Sequence, residues 1–130
     1  MMHKFDYWSP TEVVFGKGRE GETAAYVKKY GGSKVLLVYG GGSVERSGLL
    51  QRVKEQLDAA GIGYAEFGGV QPNPTVEYAR EGVKRAIESQ ADFILAVGGG
   101  SAIDTAKGIA HGAANPDVDI WKFWSGEEKV

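Results

Sequence analysis

The chain has 130 residues, the length of one domain with its own buried core, and its 42% hydrophobic and 25% charged residues are ordinary for a soluble globular protein. A formal net charge of -2 leaves no electrostatic footprint for nucleic acid, and no basic run suits a membrane surface, so neither partner is expected. The absence of cysteine excludes disulfides, thiolate metal sites and a thiol nucleophile; no apolar run approaches the roughly 20 residues of a membrane span, residues 1–10 carry no signal-peptide core, and a cytoplasmic location is expected.

Residues 5–8 and 11–15 read as two short strands around Ser9-Pro10, an N-terminal edge hairpin. Gly16-Lys17-Gly18 breaks that pattern. Residues 22–30 predict a helix with Ala24, Ala25 and Val27 on one face and a stop at Gly31-Gly32. Residues 34–39 (KVLLVY) predict a buried strand that runs into Gly40-Gly41-Gly42-Ser43. A helix is expected from about 48 to 60, with Leu49, Leu50, Val53 and Leu57 as its apolar stripe. Gly61-Ile62-Gly63 ends it, and residues 64–67 predict the next strand.

A loop over 68–74 contains Pro72-Asn73-Pro74. Thr75 then suits an N-cap for a helix from 76 to about 90 with Val83, Ala86 and Ile87 inward. Residues 93–97 (FILAV) are a continuous apolar run, too short for a stable helix, and read as a parallel strand buried on both faces. Gly98-Gly99-Gly100 follows. Ser101, with Asp104 three positions on, resembles a capping box, so a helix is expected to start at Ser101 and run to about 114, with Ala102, Ile103, Ala106, Ile109 and Ala110 at helical spacing. Asn115-Pro116 breaks it, and the tail holds Trp121, Phe123 and Trp124.

After the hairpin, strand and helix alternate. That order predicts a Rossmann-like α/β fold, a parallel sheet joined by right-handed crossovers with helices on both faces. Ligands of such sheets bind beyond the carboxyl ends of the strands. Two strands end there in Gly-Gly-Gly-Ser, at 40–43 and 98–101, which suggests two contacts with one extended ligand. Strand, triple glycine and helix start together aim free backbone N–H groups and a positive dipole end at one point, so a phosphate or pyrophosphate is the natural occupant. Glycines that serve only close packing are the competing reading. The pattern is neither a dinucleotide fingerprint, whose third glycine position falls on Ile103, nor a Walker A loop.

The segments VFGKG (14–18), YGGGSVERSG (39–48), QPNPTVE (71–77) and VGGGSAIDTAKGIA (97–110), in that order, resemble the iron-containing, group III metal-dependent alcohol dehydrogenases, especially the butanol dehydrogenase and NADPH-dependent aldehyde reductase branch. The resemblance implies an oxidoreductase that interconverts primary alcohols and aldehydes by hydride transfer to or from a nicotinamide cofactor. It implies that Gly98, Gly99, Gly100 and Ser101 hold the cofactor pyrophosphate. Asp104 and Lys107 match acidic and basic positions of the family helix, where they either stabilise the helix or touch the ligand. Asn73 matches a position beside the cofactor; a rigid turn capping the next helix is the other reading.

Gly40, Gly41, Gly42 and Ser43 put no carboxylate where an NAD enzyme would hold the ribose 2′-hydroxyl. A 2′-phosphate would meet no repulsion there, Ser43 could bond it, and Arg46 could balance its charge. NADP(H) is therefore the expected cofactor, with NAD(H) possible.

The iron or zinc ligands of the family, an aspartate and three histidines, come from a helical domain C-terminal to the cofactor-binding one. His3 and His111 read as isolated surface residues, so no metal site and no catalytic residue is assigned. Residues 1–130 are accordingly expected to form a truncated NADP-binding domain, incomplete relative to a dehydroquinate synthase-like two-domain fold. A homo-oligomer is expected from the sheet edges and aromatics that truncation would uncover. The alternatives are a glycerol dehydrogenase or dehydroquinate synthase-like relative, and a non-catalytic nucleotide- or phosphate-binding module.

Overall fold

The computed structural model describes residue 6 and residues 9–126. A single 3-10 turn at Arg19–Glu22 leads into α1 (Thr23–Lys29), followed by β1 (Lys34–Tyr39), α2 (Gly42–Arg46), α3 (Leu49–Ala59), β2 (Gly63–Phe67), α4 (Val76–Glu88), β3 (Phe93–Val97), α5 (Gly100–Ala114) and α6 (Ile120–Trp124). The three strands form a parallel sheet in the order β2-β1-β3. None of the described helices is long and apolar enough to cross a membrane.

β1 is the axis of the fold. Val35, Leu36, Leu37 and Val38 are all fully buried, because this strand has a neighbour on each side and helices on each face. Alternate side chains feed different cores. Val35 and Leu37 pack with Ala24 and Val27 of α1 and with Leu50, Val53 and Leu57 of α3. Leu36 and Val38 pack with Ala86 of α4 and with Ala106 and Ile109 of α5. Each large aliphatic side chain buried this way contributes about 1.5–3 kcal/mol.

The predicted Rossmann-like arrangement, with helices on both faces, is thus what forms. β2 and β3 flank β1 on opposite sides, so crossovers of one hand must use opposite faces, which is where α3 and α4 lie. α4 and α5 approach closely at Gly82, where a Cβ would overlap the Ile109 side chain and sit 3.0 Å from Phe67.

Several expectations need correction. Residues 5, 7 and 8 of the predicted hairpin lie outside the described residues, and residues 11–15 form no strand. That segment is held by side chains instead: Glu12 accepts hydrogen bonds from Lys29, at 2.9 and 3.1 Å, and from the Tyr30 hydroxyl, while Val13 and Phe15 are exposed. β3 is only half-buried except at Val97, since among the described residues only β1 pairs with it. Ala25 and Ile87 are exposed; the buried stripe of α4 is Ala79, Gly82 and Ala86. The helix after the first glycine turn begins with a separate five-residue helix, α2, which a start of Gly-Ser concealed.

Candidate functional site

The register pairs Tyr39 with Val97, so the two glycine turns leave adjacent strands side by side at the carboxyl edge. Each turn becomes a helix at the same step. Gly41 is the N-cap of α2 with φ -82° and ψ -161°, and Gly99 is the N-cap of α5 with φ -92° and ψ -164°. Neither helix start is capped by a side chain, so the first-turn amides of both are without a side-chain partner. From there α5 turns to the α4 face, while the chain beyond α2 enters α3 on the other. This is the crevice at which ligands of open parallel sheets bind.

The corner is open. A Cβ placed at Gly41, Gly99 or Gly100 would meet no heavy atom within 4 Å. Packing therefore does not require glycine at these three positions, and the close-packing reading fails there. Gly98 differs, because its φ of +134° is a backbone shape that side chains strain to adopt, and its Cβ position lies 3.4 Å from Val44.

The structure changes the role of Ser101. α5 starts at Gly100 with Gly99 as N-cap, which puts Ser101 inside the first turn, so no Ser101–Asp104 capping box forms. Ahead of the first helical bond, from the Ile103 N–H to the Gly99 carbonyl, the amides of Gly100, Ser101 and Ala102 have no side-chain cap. Asp104 and Lys107 are exposed further along α5. At the first turn, the Arg46 guanidinium folds back over the loop, with Nη1 2.7 Å from where a Cβ of Gly42 would stand. Ser43 is exposed beside it.

The loop after β2 hangs from the same rim. Gly69 N–H donates to the Gly40 carbonyl at 3.2 Å and Val70 N–H to the Tyr39 carbonyl at 3.1 Å. Thr75 caps α4, its hydroxyl accepting from the Tyr78 N–H at 3.2 Å. Asn73 is therefore not the cap; it is exposed and holds a left-handed conformation with φ 55°.

Sequence reasoning passed over a charged cluster at this edge. Lys54 of α3 pairs with Glu66 of β2 at 2.5 Å, and the Tyr39 hydroxyl donates to Glu66 at 3.1 Å. Lys54, and to a lesser degree Tyr39, hold the Glu66 carboxyl below its ordinary range against the opposing effect of burial. Tyr39 directly precedes the first glycine turn, and that adjacency was the available signal.

A cavity of about 560 Å³ lies between α1, the segment around Phe15, and Phe93 and Leu95 of β3. The glycine turns do not line it, so it is not the anion corner. Among the described residues no three metal-ligating side chains come together, and His111 sits late in α5. The open space lies instead at the glycine corner, around Gly41, Gly99 and Gly100.

A Bacillus subtilis protein named "Probable NADH-dependent butanol dehydrogenase 1" is 50% identical over 120 residues, 92% of this chain and 30% of its own length. The NADPH-dependent aldehyde reductase YqhD of Escherichia coli is 40% identical over 121 residues, 92% of this chain and 30% of its own. The crystal structure of NADH-dependent butanol dehydrogenase A from Thermotoga maritima superposes with a TM-score of 0.93 at 36% identity, covering 99% of this chain and 32% of that one. The chain spans about a third of the length of the relatives it matches. Residues 10–130 match the family described as iron-containing alcohol dehydrogenase, and the chain belongs to that family.

Proposed function

We propose that this chain is the nucleotide-binding part of an oxidoreductase that interconverts primary alcohols and aldehydes, with NADP(H) preferred over NAD(H). One observation carries the reading: two uncapped helix starts, in one backbone conformation, follow directly from adjacent strand ends. In this reading the backbone amides of Gly98, Gly99, Gly100 and Ser101, running into the start of α5, hold the pyrophosphate, with Asp104 further along the helix. Gly40, Gly41, Gly42 and Ser43 receive the adenosine ribose, with Asn73 on the neighbouring loop.

The relatives' names divide between NADH and NADPH, so the preference rests on this chain's own residues. Residues 40–43 carry no carboxylate, and Arg46 lies over Gly42 as a counter-charge for a 2′-phosphate. The bound nicotinamide would supply the hydride chemistry. The described residues would bind and orient the nucleotide, and they assign no acid, base or metal ligand. The remaining two-thirds of the relatives' length is where this reading puts the substrate pocket and the metal. Exposed Val13 and Phe15, with the side of β3 that pairs with no strand among the described residues, support a homo-oligomer, which sedimentation of the purified protein would test.

Titration of NADPH and NADH against wild type and Gly41→Asp tests the cofactor reading. Gly41 has an ordinary extended φ and open space around its Cβ, so aspartate fits the fold. It should weaken NADPH at least tenfold and NADH much less. Equal losses for both would remove the 2′-phosphate assignment, and no binding of either cofactor to wild type would remove the function.

A further inference from the structure

The edge between β1 and β2 presents a carboxylate that the glycine turns lack. Glu66 stands one residue before the carboxyl end of β2, paired in register with Leu37. Proteins of this sheet type commonly hold a ribose 2′-hydroxyl with an acid at the end of the second strand, and such an acid repels a 2′-phosphate. Here the acid is already engaged. Lys54 reaches it from α3, and its side chain is only 20% exposed against 37% for Glu66. The Tyr39 hydroxyl donates a second bond to it, and the Tyr39 ring occupies the space that a side chain at residue 68 would need. That ring ties the cluster to the start of the third rim loop. Arg85 and Glu45 act on the cluster only through longer-range charge.

We infer that Lys54 and Tyr39 form a specificity device: by neutralising and holding Glu66, they let the adenosine end of the site accept a 2′-phosphate that a free Glu66 would reject. This rests on the nucleotide-binding reading above and names residues in it that set cofactor preference. Tyr39 and Lys54 are positioning residues, since they act through Glu66. The electrostatics are simple. Removing the lysine leaves a net negative charge three residues short of the first glycine turn in register, and removing the glutamate leaves a net positive one. At separations of about 6–12 Å and the dielectric of water, one charge acting on a dianionic phosphate is worth about three- to tenfold in affinity.

The test measures dissociation constants for NADPH and NADH by the fluorescence of the reduced cofactor, in wild type, Lys54→Met, Glu66→Gln and the double variant. Lys54→Met should reduce the NADPH-over-NADH preference about three- to tenfold, Glu66→Gln should raise it by a similar factor, and the double variant should return to within about twofold of wild type. Should Lys54→Met fail to fold, Glu66→Gln decides the matter, because it is isosteric and can still accept from Tyr39. A merely structural ion pair would weaken both cofactors together and leave their ratio unmoved. An unchanged ratio, or a shift of the same sign in both single variants, overturns the inference while leaving nucleotide binding intact. Wild type that binds neither cofactor overturns both.

Discussion

Replacing Gly99 by aspartate should make the protein more stable and empty its site in one step. Residue 99 has φ -92° and ψ -164°, which any residue adopts, and no heavy atom within 4 Å of its Cβ. It stands at the N-cap of a helix that no side chain caps. Losing glycine's freedom in the unfolded chain gains about 0.4–1 kcal/mol. An aspartate cap adds a few tenths over glycine, and its charge at the helix start adds about 0.3–1 kcal/mol. The sum is about 1–2 kcal/mol, or roughly 3–8 °C in Tm for a domain of this size. The same carboxylate would occupy the amides that the proposed function assigns to the pyrophosphate. Thermal unfolding with and without NADPH reads both effects. Wild type with cofactor at a hundred times its dissociation constant should gain about 2.7 kcal/mol, whereas the variant should start higher and gain almost nothing. A variant less stable than wild type without cofactor would show that Gly99 serves packing. One that keeps the full cofactor-induced shift would show that the corner does not bind the diphosphate.

Gly82→Ala should lose about 1–3 kcal/mol in denaturant unfolding, since its methyl overlaps Ile109 at the α4–α5 crossing; a neutral result would mean that the two helices can separate freely. Asp92 accepts from the backbone N–H groups of Ser33 and Lys34, both at 2.9 Å, and from the Ser33 hydroxyl, and these bonds lower its pKa to about 2 from an ordinary 3.8. A depressed pKa stabilises the fold above the unfolded value, and that contribution disappears as pH falls from about 4 towards 2. Asp92→Asn should therefore flatten that stretch of the acid-unfolding curve, and an identical slope in wild type and variant would refute the assignment.

The backbone of this architecture was legible because its signals were local. Residues 34–39 and 93–97 carry apolar runs too short for helices, and glycine pairs stop α1 and α3. Thr75 announced α4 through its own hydroxyl. What escaped depended on neighbours distant in sequence. Residues 11–15 have strand composition, but a strand needs a ladder partner, and among the described residues none is beside them. FILAV reads as doubly buried, yet burial of β3 is set by what lies on its outer side. Ser101 and Asp104 had the spacing of a capping box, but Gly99 and Gly100 begin the helix earlier. The pairing of the two glycine turns was inferred from their repetition, whereas Lys54 with Glu66 could not be, since a helix and a strand twelve residues apart meet only through the fold.

The match of Tyr39 with Val97 makes the sheet a ruler. Neighbouring strands lie about 4.8 Å apart, and that spacing is fixed by the backbone ladder rather than by loop side chains. The two corners thus keep their separation whether or not anything is bound. On the proposed nucleotide reading, a ligand has to span that interval between its charged groups.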